Sequence, residues 1–177
     1  MTDMKEYAKA LFLLTEEEGV TESALAELVT VKALLAKHPS YRNLLDTPAL
    51  PRGERLALID EAFATVSEYV RNLLKILCER HIVYAVPRLV SDFSALYDEE
   101  RGIERAEAIS AIAMTQEQMT ALKTRLEAIT GKTVILTNTV DPSVIGGVKL
   151  RYGGLQLDGS IKTRLESFER ALHSVVI

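Results

Sequence analysis

Apolar residues recur every three or four positions through the first hundred residues, the spacing of helices that each bury one face. Met4, Tyr7, Ala8, Leu11 and Leu14 follow Thr2-Asp3, a suitable N-cap, and Gly19 supplies a stop, so a first helix is predicted between them. Leu25, Leu28, Val29 and Leu35 mark a second helix that ends before His38-Pro39, and a short third one follows around Tyr41 to Leu45. Pro51 suits a first helical turn and opens a fourth helix carrying Leu56, Ile59 and Phe63. Val66, Val70, Leu73, Leu74 and Leu77 make a fifth, and Val86, Leu89, Val90, Phe93 and Tyr97 a sixth. Short connections between them predict an all-helical bundle.

The period changes after the charged run Asp98-Glu99-Glu100-Arg101-Gly102, so the expected domains are residues 1–104 and 105–177. Arg105 to Ala113 alternates, with Glu107, Ile109, Ala111 and Ala113 on one side of a strand. Thr115 and Gln118 fit a capping box that opens a helix through Met119, Leu122, Leu126 and Ile129, which Gly131 can close. The β-branched run Thr133 to Val140 reads as a strand. Val148 to Tyr152 and Leu155 to Leu157 are short strands joined across Gly153-Gly154, and Ser160 can cap a last helix through Ile161, Leu165, Phe168 and Leu172. The expected fold class is α+β: an N-terminal six-helix bundle followed by a small C-terminal α/β domain with a short sheet and two helices.

Composition adds limits rather than detail. A chain of 177 residues, 47% hydrophobic and 26% charged, can bury a core. Its apolar runs fall far short of the roughly 20 residues of a membrane helix, and its first residues include acids that a signal or transit peptide avoids. A soluble, unprocessed protein without direct membrane insertion is expected. The single Cys78 excludes an internal disulfide and is read as a reduced core thiol. Residues 1–104 hold 12 Lys and Arg against 18 Asp and Glu, whereas 105–177 hold 9 against 7. That distribution lacks the concentrated basic face of a nucleic-acid binder and fits two domains.

The stretch DPSVIGGVKLRYGGLQLDGSIKTR, Asp141 to Arg164, holds five of the nine glycines and invites a phosphate-loop reading. Such a loop needs glycine-rich backbone at a helix N-terminus, yet Gly146-Gly147 runs into the strand pattern Val148-Lys149-Leu150. Asp158-Gly159-Ser160 does precede a helix, with Lys162 and Arg164 close by, so an anion- or nucleotide-binding enzyme stays open as the alternative; Ser160 already suffices as a cap. His38, His81 and His173 stand far apart and are read as surface or capping residues, and the glutamate runs 16–18 and 99–100 as solvated faces. No catalytic residue, no metal site and no cofactor is expected.

The surplus is apolar. Around the first helix Leu13, Ala10, Leu14, Tyr7, Leu11, Met4, Ala8 and Phe12 follow one another, interrupted only by Lys5, Glu6 and Lys9. On the fifth, Tyr69, Leu73 and Ile76 widen the apolar stripe. Either both helices are central in the bundle, or their spare edges form a groove for an amphipathic partner helix.

The opening EYAKALF, the six helices, the change near residue 105 and DPSVIGGVKLRYGGLQLDGSIKTRLESF together resemble the delta subunit of bacterial F-type ATP synthase, related to the mitochondrial oligomycin-sensitivity-conferring protein. The most specific marks are Asp141, Ile145, Gly146, Gly147, Asp158, Gly159, Ser160 and Leu165, a structural motif, and Tyr7-Ala8 with Ala10-Leu11-Phe12 is a second, weaker one. The chain departs from the family in lacking an Arg-Pro lead-in before Tyr7 and a Gly-Asp in its hairpin. The resemblance implies a non-catalytic stator on the cytoplasmic face of the bacterial inner membrane. It implies that the first domain holds N-terminal helices of alpha subunits of the catalytic head, chiefly through its first and fifth helices, and that the second binds the b subunit of the peripheral stalk. Carried over by residue, the candidates for the alpha-subunit helix are Tyr7, Ala10, Leu14, Asn72, Leu73 and Ile76. A free-standing helical adaptor makes the same peptide-binding prediction with another partner.

Overall fold

The computed structural model describes residues 4–144, 147–152 and 155–158. It is a mixed α and β structure with helices in the majority, and the chain divides into two compact units, Met1–Tyr97 and Asp98–Ile177. Helices α1 (Met4–Glu17), α2 (Thr21–Lys37), α3 (Pro39–Asp46), α4 (Arg52–Ala62), α5 (Glu68–Glu79) and α6 (Val86–Glu100) precede the first strand, with one 3-10 turn at Val83–Ala85. The division lies seven residues ahead of the one drawn from sequence, within the last turn of α6. Asp98, Glu99 and Glu100 of the charged run form the end of α6 and Arg101-Gly102 a turn, so the division falls at the head of the run; Arg105 clasps Asp98 from the strand beyond, with Nη2 donating to Oδ1 at 2.9 Å.

Local chemistry sets the helix ends. Gly19 takes φ 68°, and Val20 N–H donates to Thr15 O at 2.9 Å to close α1. The Thr2-Asp3 cap expected at the other end lies outside the described residues. Pro51 stands one place before α4 rather than inside its first turn. Ser67, at the N-cap of α5, makes no capping bond of its own; its N–H and hydroxyl both donate to Glu27 Oε2, which ties the start of α5 to α2. His81 follows the end of α5 at φ 58°, with Ile82 N–H donating to Leu77 O at 3.0 Å, and Arg55 Nη1 donates to Cys78 O in the last turn of α5 at 3.0 Å.

The core of the first unit gathers Ala8 and Phe12 of α1, Leu28 and Val31 of α2, Leu45 of α3, Ile59 of α4, Val70, Leu74 and Leu77 of α5, and Leu89 and Phe93 of α6. Phe12 and Phe93 meet edge to face, ring centroids 5.7 Å apart. Cys78 is a buried free thiol that donates to Leu45 O at 3.2 Å, and burial pushes its pKa up, so it stays protonated and unreactive. The Tyr41 hydroxyl donates to Leu58 O at 2.9 Å; burial, then the charges of Cys78 and Glu61, push its pKa up to about 12.

In the second unit β1 (Ile103–Ser110), α7 (Gln116–Thr130), β2 (Thr133–Val140), β3 (Val148–Tyr152) and β4 (Leu155–Asp158) form a sheet of order β2-β1-β3-β4. β1 and β2 are parallel and joined through α7, and the other pairings are antiparallel. Ala106, Val134 and Leu150 pack with Leu126 of α7. The register pairs Tyr152 with Leu155, leaving two residues between the strands. β1 stops at Ser110, so Ala111 and Ala113 lie past the strand instead of sharing its face with Glu107 and Ile109. The cause is non-local: Asn138 of β2 donates to Ala108 O and Ser110 Oγ and accepts Met114 N–H at 2.8 Å, while Ser110 Oγ donates to Ile112 O, turning the chain away. The helix expected from Ser160 lies outside the described residues.

α7 opens as its sequence predicts. Gln118 N–H donates to Thr115 Oγ1 at 3.3 Å and Thr115 N–H to Gln118 Oε1 at 2.9 Å, and Gly131 closes the helix at φ 68°. Thr115→Ala is expected to destabilise α7 by about 1 kcal/mol, read as roughly fivefold faster amide hydrogen exchange along the helix; unchanged exchange would show the box to be dispensable.

Candidate partner-binding groove

α1 buries Met4, Ala8, Leu11, Phe12 and Thr15, a wide face, and still has Ala10, Leu13 and Leu14 exposed and Tyr7 half-buried. α5 buries Val70, Leu73, Leu74, Leu77 and Cys78, with Asn72 and Ile76 exposed and Tyr69 half-buried. The two helices are neighbours, and their outward edges meet in an open apolar channel of about 350 Å³. Tyr7, Ala10, Leu14, Asn72, Leu73 and Ile76, the six residues singled out from sequence, all line it, together with Leu11 and Tyr69. Leu73 is buried, whereas Leu14 and Ile76 remain 42% and 45% exposed and are the side chains an occupant would cover. Leu13 is exposed but does not line the channel.

Leu11 and Tyr69 were not among the candidates. Leu11 sits at helical spacing between Tyr7 and Leu14, and Tyr69 one turn before Asn72 and Leu73, so each shares the face of its neighbours. Glu18, just past α1, is the main cause that raises the Tyr69 pKa, followed by burial and the charge of Glu68. On the other side of α5, Asp60 engages Lys75 at 2.7 Å and Arg71 at 3.5 Å.

A larger cavity of about 530 Å³ opens at the α2–α3 junction, with Leu34, Tyr41 and Phe63 in its walls and Lys37 and His38 among its lining. Tyr41 and Phe63 are already in ring contact there, centroids 6.4 Å apart, so it is a corner between helices, not a channel running along two of them. Among the described residues no group of three His, Cys, Asp or Glu side chains comes together to hold a metal ion, and no helix is long and apolar enough to cross a membrane.

The glycine-rich motif has structural work where it is described. Asp141 forms a turn after β2: its N–H donates to Ser110 O, its Oδ1 accepts Ser143 N–H at 2.9 Å, and its carbonyl accepts Val144 N–H. The bonds from Ser143 hold the Asp141 carboxyl below the usual carboxylate range. Gly147 takes φ 81° and leads into β3, not a helix, so the phosphate-loop geometry is missing there. Asp158, the last residue of β4, pairs with Lys149. Ile145, Gly146, Gly159, Ser160 and Leu165 lie outside the described residues, as do Lys162 and Arg164.

An open apolar channel along two neighbouring helices is the geometry of helix-in-groove recognition and places the chain among interaction proteins. The family model described as ATP synthase delta (OSCP) subunit matches residues 4–172. An ATP synthase subunit delta of Geobacillus sp. (strain WCH70) is 41% identical over 169 residues, 95% of each chain, and that of Rhizobium etli (strain CIAT 652) is 33% identical over 171 residues, 96% of this chain and 91% of its own. A chain of the Toxoplasma gondii mitochondrial ATP synthase hexamer, 22% identical, shares the fold over 97% of this chain and 98% of its own with a TM-score of 0.74. This chain belongs to the ATP synthase delta (OSCP) subunit family. It is a non-catalytic subunit of ATP synthase, and its partners are other subunits of that enzyme.

Proposed function

We propose that the α1–α5 channel holds the N-terminal helix of an alpha subunit of the catalytic head, and that the second unit holds the b subunit of the peripheral stalk. In this reading α1 to α6 act as a six-helix bundle, and the chain links head to stalk at the cytoplasmic face of the bacterial inner membrane without entering it. The link resists the torque of rotary catalysis. Two attachments in one chain raise the effective concentration of each for its partner, so the joint outlasts either contact alone.

The channel itself carries the reading. Covering Leu14 and Ile76, each now nearly half exposed, adds about 1 kcal/mol per side chain, about half the value of full burial. Shape and polarity suit an amphipathic helix with its apolar stripe inward. Calorimetric titration of the full chain with a synthetic alpha-subunit N-terminal peptide is expected to give a Kd on the order of nanomolar to micromolar. Apolar association can be nearly heatless at one temperature, so the titration is run at two. Absence of heat at both would sink the proposal.

A further inference from the structure

One wall of the channel, α5, starts without a side-chain cap of its own. Ser67 has the extended backbone of an N-cap, φ −54° and ψ 155°, yet its hydroxyl makes no capping bond to the helix. A serine or threonine in that position ordinarily accepts an N–H of the first turn, as Thr115 does at the head of α7. The Ser67 hydroxyl and N–H, the latter at 3.1 Å, instead both donate to one oxygen, Oε2 of Glu27 on α2.

The position of this tether matters more than its strength. Glu27 is half-buried and shares the packed side of α2 with Ala24 and Val31, one turn to either side and both buried. α2 lies against both α1 and α5, the two walls of the channel. Tyr69 and Asn72, the channel-lining residues nearest the start of α5, follow Ser67 within its first turn and a half. Bonds to a carboxylate are stronger than bonds between neutral groups, so Glu27 fixes where α5 begins relative to α2 and, through α2, relative to α1. A local cap given up for a contact between helices, beside a binding surface, is a trade expected where placement serves function.

We propose that Glu27 is a positioning residue for the channel: by holding Ser67 it keeps the Tyr69 end of α5 at the distance from α1 that admits a helix. Glu27 does not line the channel and so acts through α5 alone. This rests on the channel being the docking site proposed above, and it adds what keeps that site in shape before its partner arrives. Without the tether, the start of α5 samples placements in which Tyr69 and Asn72 no longer face Tyr7 and Leu14. The apparent affinity then falls in proportion to the fraction of chains that keep the competent arrangement.

The test measures association and dissociation rates of the alpha-subunit N-terminal peptide on the full chain by surface plasmon resonance. Glu27→Ala is expected to raise Kd roughly three- to tenfold through slower association, with dissociation unchanged, because fewer chains are competent at any moment. A lost contact would act chiefly on dissociation. Helix content by circular dichroism is expected to hold, since the freed Ser67 hydroxyl can then cap α5. Glu27→Gln, whose amide oxygen can accept both bonds, is expected to stay within about twofold of the wild type. Tyr41→Phe loses its bond to Leu58 O elsewhere in the same unit, away from the channel, and is expected to lower stability while leaving Kd unchanged. Ser67→Ala removes only the hydroxyl bond, so it tests the tether even if Glu27→Ala does not fold; a smaller effect in the same direction is expected. Wild-type association by Ser67→Ala and by any folded Glu27→Ala, a loss carried by dissociation, equal weakening by Glu27→Gln and Glu27→Ala, or the same weakening by Tyr41→Phe overturns the positioning role and leaves the channel standing. No binding of the peptide to the wild type overturns the channel reading itself, and this inference with it.

Discussion

Phe93→Ala is expected to lower the stability of the helical unit by about 3 to 5 kcal/mol, a large share of the roughly 5 to 15 kcal/mol that holds an ordinary domain together. The ring is fully buried in α6 and meets Phe12 of α1 edge to face, so truncation removes both its apolar contacts and the aromatic pair. The effect reaches function through geometry. Phe12 anchors the inner face of α1, and the outer face of the same helix supplies Tyr7, Ala10 and Leu14 to the channel. Binding of the alpha-subunit peptide is therefore expected to weaken although no channel residue has changed. Urea unfolding measures the first effect and calorimetry the second. Leu13→Ala is the contrast: the side chain is 59% exposed, and its loss is expected to change stability by no more than about 0.5 kcal/mol. If Phe93→Ala proves as stable as Leu13→Ala, the core is not packed around α1 and α6 as described.

Local signals were the legible part of this fold. Gly19 and Gly131 end their helices because their left-handed backbone costs glycine little, and Thr115 with Gln118 starts α7 through bonds spanning three residues. What misled was decided by distant partners. Nothing in Ala111-Ile112-Ala113 says that β1 should stop at Ser110; Asn138, 28 residues on, does that by bonding both sides of the turn. The charged run at 98–102 marks the division, which falls at its head, but its composition does not say that its first three residues still belong to α6 or that Asp98 is held from Arg105. The channel falls between these cases. The excess apolar arcs of α1 and α5 were visible residue by residue, but their meeting depends on tertiary packing. Periodicity left open whether both helices are central or share a groove, and the family resemblance favoured the groove. Once the helices are side by side, Leu11 and Tyr69 join the lining by helical spacing alone.

Ile76→Asp is expected to weaken alpha-peptide binding by about 2 kcal/mol or more, roughly thirtyfold, while leaving the free chain folded. Ile76 is 45% exposed in the channel wall, so in the free protein a carboxylate there stays hydrated and costs little. With the channel occupied, the same carboxylate must give up water against an apolar helix face, losing the burial of isoleucine and paying desolvation as well. Leu73→Asp is the opposite case: Leu73 is only 7% exposed, and a charge there is expected to unfold the helical unit rather than report on binding. Ile76→Leu keeps volume and polarity and is expected to bind almost normally. The decisive pattern is thus binding lost with the urea midpoint unchanged for Ile76→Asp, and both lost for Leu73→Asp. Normal peptide binding by Ile76→Asp would move the docking site off the α1–α5 channel. In the assembled enzyme, a head held less firmly turns with the rotor, so Ile76→Asp is expected to reduce ATP synthesis driven by an ion gradient while ATP hydrolysis by the head continues.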